Sequence, residues 1–162
     1  MYNWFQKSNF RETKIVIISE GKFMALSGNE MMWQALAKLD LTMLEASTEN
    51  GADPNFKQNG LTPVEYLLIN NDQESPRLLE MFNLLIGSGA DLNLRKMFSK
   101  QPLYLAVEKN LKQTVEMFLK FNADKDRKFS VLGQIGVAIG LGLTPLQAAE
   151  KCGYREIIEL LK

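Results

Sequence analysis

The 162-residue sequence contains no histidine and only one cysteine, Cys152. The lack of histidine excludes Ser-His and Cys-His nucleophile systems, histidine general bases and most zinc sites. A single thiol excludes an intramolecular disulfide and any metal site that needs several cysteines. Catalysis would therefore have to use carboxylates, lysines or tyrosines, and we expect no catalytic residues, no metal ion and no cofactor.

The chain also lacks a net charge and any long apolar run. Its 19 basic residues are balanced by 19 acidic ones, whereas nucleic-acid binding usually leaves a basic excess that neutralises phosphates. No segment approaches the roughly 18–20 apolar residues of a membrane span. The start, Met1–Gln6, has no basic region followed by an apolar stretch, so it does not predict a signal peptide. We expect neither a nucleic-acid partner nor a membrane span.

A short unit recurs three times along the chain. It reads Gly-Ala-Asp or Asn-Ala-Asp, at residues 51–53, 89–91 and 122–124. Each unit is followed by Thr-Pro or Gln-Pro, at residues 62–63, 101–102 and 144–145. Threonine before proline is a helix start, and glutamate or glutamine three residues after the threonine can close a capping box. Asn110 and Gly153 stand nine residues after Gln101 and Thr144, and asparagine and glycine tolerate the left-handed backbone of a helix end. The pattern therefore predicts pairs of short helices separated by turns.

These units resemble the ankyrin-repeat family, whose repeat of about 33 residues contains two helices and a turn. The resemblance covers about residues 29–162 and implies an all-α solenoid of about four repeats. The expected bounds of the repeats are about 29–60, 61–99, 100–142 and 143–162, the last being a C-terminal cap. Each repeat continues into the next through a finger, the extended β-hairpin that follows its second helix, and the finger of repeat 100–142 is enlarged. Residues 1–28 form an extension, in which Lys14–Ser19 and Lys22–Leu26 predict a small β-hairpin.

Asp53, Asp91 and Asp124 place one carboxylate in each finger. We interpret them as turn residues, because aspartate side chains accept hydrogen bonds from nearby backbone N–H groups. A shared metal ion is the alternative. Neighbouring repeats would separate the carboxylates by about 10 Å, which is too far for metal–ligand bonds of about 2.0–2.6 Å.

Two insertions interrupt the period. The second repeat carries extra residues around Asn70–Ser75. They lie at the crest, which is the turn between the two helices of a repeat. The third finger is longer still: twenty residues separate Asp124 from Thr144, against nine from Asp53 to Thr62. Its residues 131–142 carry no charge, so they either pack back on the solenoid or bind a partner. We favour the partner, because large exposed apolar patches usually mark interaction surfaces.

The candidate partner-binding residues are of three kinds: basic and aromatic residues of the fingers, crest residues, and apolar residues of the enlarged finger. A row of cations beside aromatic rings suits an acidic protein surface. The predicted residues are Phe56, Lys57, Asn71, Asp72, Arg95, Lys96, Phe98, Lys100, Leu111, Arg127, Lys128, Phe129, Leu132, Ile135, Val137, Ile139 and Tyr154.

The resemblance implies binding of another protein through the concave groove and fingers, without catalysis. Short ankyrin proteins of this kind resemble bacterial effectors or inhibitor and immunity-type partners, and the residues do not choose between them. The expected location is cytoplasmic, or inside a host cell for a secreted effector, and the expected state is a monomer or weak oligomer. The alternative is an enzyme or regulatory domain with a carboxylate or lysine site where residues 1–28 meet the groove.

Overall fold

A computed structural model describes residues 15–19, 22–94, 100–128 and 142–162. Within these residues the chain forms two strands and eight helices. The elements are β1 (Ile15–Ser19), β2 (Lys22–Leu26), α1 (Gly28–Lys38), α2 (Leu41–Glu49), α3 (Pro63–Asn70), α4 (Pro76–Gly87), α5 (Pro102–Glu108), α6 (Lys112–Lys120), α7 (Pro145–Cys152) and α8 (Arg155–Leu161). The helix pairs confirm the predicted all-α repeat solenoid.

The two strands form the predicted N-terminal hairpin. β1 and β2 pair antiparallel, with Ile15 opposite Leu26 and Ser19 opposite Lys22. Leu26 is buried, and the next residue, Ser27, is the N-cap of α1. The Ser27 hydroxyl accepts from the Glu30 N–H, and the Glu30 carboxylate accepts from the Ser27 N–H at 2.8 Å. Donation to the carboxylate from the Ser27 N–H, and then from the Ser27 hydroxyl, holds the pKa of Glu30 below its usual value.

The predicted helix starts are present where the sequence has threonine. Thr62 and Glu65 form a capping box at α3, and Thr144 and Gln147 form one at α7. Gln101 begins α5 without a side-chain cap, because its longer side chain does not bond the first turn. Proline follows in all three helices, at the position where a missing N–H breaks no helical bond.

Residues with left-handed backbones end the helices, as the spacing of glycine and asparagine predicts. Asn110 and Gly153 lie between the helices of the third and fourth pairs, with φ of 57° and 73°. Leu39 takes the same place in the first pair with φ of 51°. A side chain with Cβ is disfavoured there, so the left-handed turn at Leu39 was not predicted from its residue type. The Leu39 carbonyl accepts from Arg77 Nη1 at 3.2 Å, which links the first pair to the second.

The four helix pairs stack side by side. α1, α3, α5 and α7 form an inner row in which each helix contacts the next, and α2, α4, α6 and α8 form the outer row. Buried leucines fill the space between the rows, and Phe82 of α4 meets Phe118 of α6 edge to face at 5.3 Å. Because the core is continuous, each pair is stabilised by its neighbours.

Candidate protein-binding surface

The fingers are joined to one another by asparagine side chains. The Asn55 amide donates to the Gly89 carbonyl at 2.9 Å and accepts from the Asp91 N–H at 2.8 Å. Asn93 makes the same two bonds one repeat further on, to Asn122 and Asp124. Each amide therefore ties the start of one finger to the start of the next, and these described starts form a row.

The three finger aspartates make turn hydrogen bonds, as predicted. Asp53 accepts from the Asn55 N–H at 2.8 Å, Asp91 from the Asn93 N–H at 2.7 Å, and Asp124 from the Asp126 N–H at 3.1 Å. Asp53 and Asp91 therefore hold the backbone of Asn55 and Asn93, the two asparagines that join the fingers. The described residues contain no group of three or more histidine, cysteine, aspartate or glutamate side chains that could hold a metal ion.

The crest insertion (residues 70–75) joins the second helix pair to the third. Lys109 Nζ donates to the Ile69 carbonyl at 3.0 Å and to Asp72 at 2.6 Å. Glu74 accepts from the N–H of Thr114 at 2.6 Å. Thr114 is the third residue of α6, whose own N-cap residue, Leu111, contributes no side-chain bond. Glu74 thus caps a helix of the next repeat.

We expect Glu74→Ala to lower the free energy of unfolding by about 1 kcal/mol, the usual effect of losing a helix N-cap. Gln73→Ala is the matched control, because Gln73 is the exposed neighbour of Glu74. Urea unfolding followed by circular dichroism measures both variants. Equal midpoints for the two variants would show that the Glu74 contact contributes nothing.

Several finger cations are bonded within the chain. Lys100 Nζ lies 2.7 Å from Glu108 Oε1 and 5.7 Å from the centre of the Tyr104 ring. Arg127 donates to the Asn93 carbonyl at 3.1 Å, and its Nε donates to the Gln101 amide oxygen at 2.7 Å when that amide faces it. Lys125 Nζ donates to the Leu161 carbonyl at the end of α8. These cations hold the fingers and helices in place.

The remaining predicted residues lie in different settings. Phe56, Lys57 and Lys128 are exposed, whereas Asn71 and Tyr154 are half-buried. Leu111 is wrong as a partner-binding residue: it is 2% exposed, because its side chain points into the core beside α6. Asp72 is exposed but paired with Lys109. The other predicted residues lie outside the described ones, namely Arg95, Lys96, Phe98, Phe129, Leu132, Ile135, Val137 and Ile139.

A shallow depression between α3 and α5 was not predicted. It has a volume of about 210 Å³ and is lined by Leu61, Glu65, Ile69, Lys100 and Leu105. Ile69 is 45% exposed. Counted from the helix starts, Ile69 occupies the position that Glu108 and Lys151 hold in the next two repeats. An apolar residue in a register of charged ones is the sequence signal that could have revealed this site.

Charges around the depression are engaged. The Glu65 carboxylate accepts from the Thr62 N–H at 2.8 Å and from the Thr62 hydroxyl at 3.0 Å, and it is buried. Lys100 is paired with Glu108. Burial raises the pKa of Tyr104, and the nearby Glu108 raises it further. The surface of the depression is therefore apolar, with its neighbouring charges already compensated.

The enzyme alternative required a site formed with residues 1–28. Residues 1–14, 20 and 21 lie outside the described part of the chain, and for residues 15–19 and 22–25 only the backbone is described. In the described residues, no helix has both the length and the apolar character needed to cross a membrane.

Comparison with known proteins bears on the same residues. The family model for ankyrin repeats, in three copies, matches residues 73–162. An ankyrin repeat protein of Rickettsia felis is 33% identical over 85 residues, which cover 52% of this chain and 37% of that protein. The match thus spans little more than a third of the relative's length. The stacked helix pairs, their proline starts and the family match together show that this chain belongs to the ankyrin-repeat family.

Proposed function

We propose that the protein binds another protein through its fingers and inner helices, and that it catalyses no reaction. Ankyrin repeats are generally protein–protein interaction modules and are typically non-catalytic. The observation that carries the proposal is the row of fingers tied together by Asn55 and Asn93. A surface already fixed before binding loses little conformational entropy on association, which favours affinity.

The contact surface in this proposal includes the exposed finger residues Phe56, Lys57 and Lys128, together with Tyr154 at the crest. Lys57 and Lys128 make no ion pair with any described residue, so an acidic partner group would meet them without displacing a bond to the described part of the chain. Lys100 and Arg127 contribute less, because a partner would have to compete with Glu108 and Asn93 for them. The monomer or weak oligomer expected from the sequence belongs to the same proposal.

Lysine cross-linking tests where the partner binds. The immobilised chain captures proteins from lysate, and mass spectrometry then identifies the partner residues cross-linked to each lysine. The proposal predicts cross-links to Lys57 and Lys128 of the fingers, with few to Lys120 on the outer helix α6. Cross-links confined to Lys120 would place the partner on the opposite face and contradict the proposal.

The choice between an effector and an inhibitor depends on which proteins are captured. The capture is therefore carried out with two lysates, one from the organism of origin and one from eukaryotic cells. An effector should capture a eukaryotic protein, whereas an inhibitor or immunity-type protein should capture an enzyme or toxin of its own organism. Capture of one class with no enrichment of the other decides between the two settings.

A further inference from the structure

We propose that the depression lined by Leu61, Ile69 and Leu105, here called the anchor depression, receives one uncharged apolar side chain of the partner protein. This inference rests on the proposed function and names the chemistry that the partner must present. An apolar side chain at the anchor depression differs in chemistry from the acidic groups that the finger cations would attract.

Exposure at the anchor depression is not required by the fold. Ile69 is 45% exposed, although its register position carries Glu108 and Lys151 in the next two repeats. Leu61 and Leu105 are partly buried and line the same depression. Single exposed apolar residues are ordinary, whereas Ile69 lies beside Leu61 and Leu105 in one concave site.

Charge complementarity favours an apolar occupant. The carboxylate of Glu65 is already bonded to the backbone and hydroxyl of Thr62, and Lys100 is already bonded to Glu108. A charged partner group entering here would lose its hydration without gaining a free counter-charge from either residue. An apolar side chain has no such penalty and removes Leu61, Ile69 and Leu105 from water.

Size and rigidity fit one side chain. The volume of about 210 Å³ lies below the roughly 300–1,000 Å³ of pockets that enclose drug-sized ligands. The end of α3 is held in place because Lys109 Nζ donates to the Ile69 carbonyl at 3.0 Å. The site is therefore too small for a cofactor and is fixed before the partner arrives, which is typical of a pocket for an anchoring residue.

A peptide library tests the anchor without a known partner. Phage-displayed random peptides are selected on the wild-type chain, and the affinities of enriched peptides are then measured on Ile69→Asp and Phe121→Asp. Phe121 is the matched control, because it is 44% exposed at the end of the outer helix α6. Circular dichroism and thermal melting establish that each variant is folded, and Ile69→Asn replaces Ile69→Asp if the latter is not.

The inference predicts that enriched peptides share an apolar residue at a common position. Replacing that residue by alanine, or introducing Ile69→Asp, should weaken binding about tenfold or more, whereas Phe121→Asp should change it less than about twofold. Enrichment of acidic peptides without a shared apolar residue, binding unaffected by Ile69→Asp, or no enrichment would overturn it. If cross-links still map to the fingers in that case, the proposed function stands and only the anchor is lost.

Discussion

Leu103→Asp should abolish cooperative folding of the array. Leu103 lies in α5 at the contact between repeats and is 0% exposed. A carboxylate placed there has no counter-charge among its apolar neighbours, so it must be buried unpaired or the repeats must separate. The cost is on the order of several kcal/mol, a large part of the roughly 5–15 kcal/mol that stabilises a typical domain. The helical circular dichroism signal should fall and the urea transition should broaden or disappear.

Leu105→Asp is the matched control for this prediction. Leu105 lies two residues further along the same helix, but it is only partly buried and lines the anchor depression. Its carboxylate can reach water, so the variant should keep its helical signal and a cooperative urea transition. Similar loss of structure in both variants would contradict the assignment of Leu103 to the core and Leu105 to the surface.

Asn93→Ala should lower the free energy of unfolding by about 2 kcal/mol. The substitution removes one hydrogen bond to the Asn122 carbonyl and one from the Asp124 N–H, and each net bond contributes about 0.5–1.5 kcal/mol. Both bonds join the second finger to the third. Because a repeat array is stabilised by contacts between neighbours, we also expect a broader urea transition.

Asn70→Ala is the control for Asn93→Ala, because among the described residues the Asn70 amide bonds only to the Tyr66 carbonyl of its own helix. It should change stability by less than about 0.5 kcal/mol. Asn93→Asp should lie between wild type and Asn93→Ala. It keeps an acceptor for the Asp124 N–H but places a carboxylate against the Asn122 carbonyl. Equal stability of the Asn93→Ala and Asn70→Ala proteins would show that the Asn93 amide does not hold the second and third fingers together.

Local signals were enough to predict the helix pairs. The caps at Thr62 and Thr144 and the left-handed turns at Asn110 and Gly153 depend on residues within one helical turn, so their spacing alone carries the information. The finger aspartates were interpreted correctly for the same reason, since each bonds a backbone group two residues away.

Long-range bonds could not be predicted in this way. Glu74 and Thr114 are 40 residues apart, and Arg127 bonds Asn93 across 34 residues. Which cations remain available to a partner depends on such bonds, and the local pattern did not predict those of Lys100 and Arg127. Leu111 was assigned to the surface although the corresponding Leu78 of the previous repeat is also buried. Aligning the third repeat with the second, which places Leu111 opposite Leu78, would have indicated a core position for Leu111.

Hydrogen exchange of the complex tests the central claim most directly, namely that the partner binds the fingers and inner helices. Amide exchange is compared between the free chain and the chain bound to its captured partner. We expect slower exchange in the first finger, at residues 52–61, at the end of α3 around Ile69, and in the middle of α5 around Leu105. Slower exchange confined to the outer helices α4 and α6, with these segments unchanged, would contradict it.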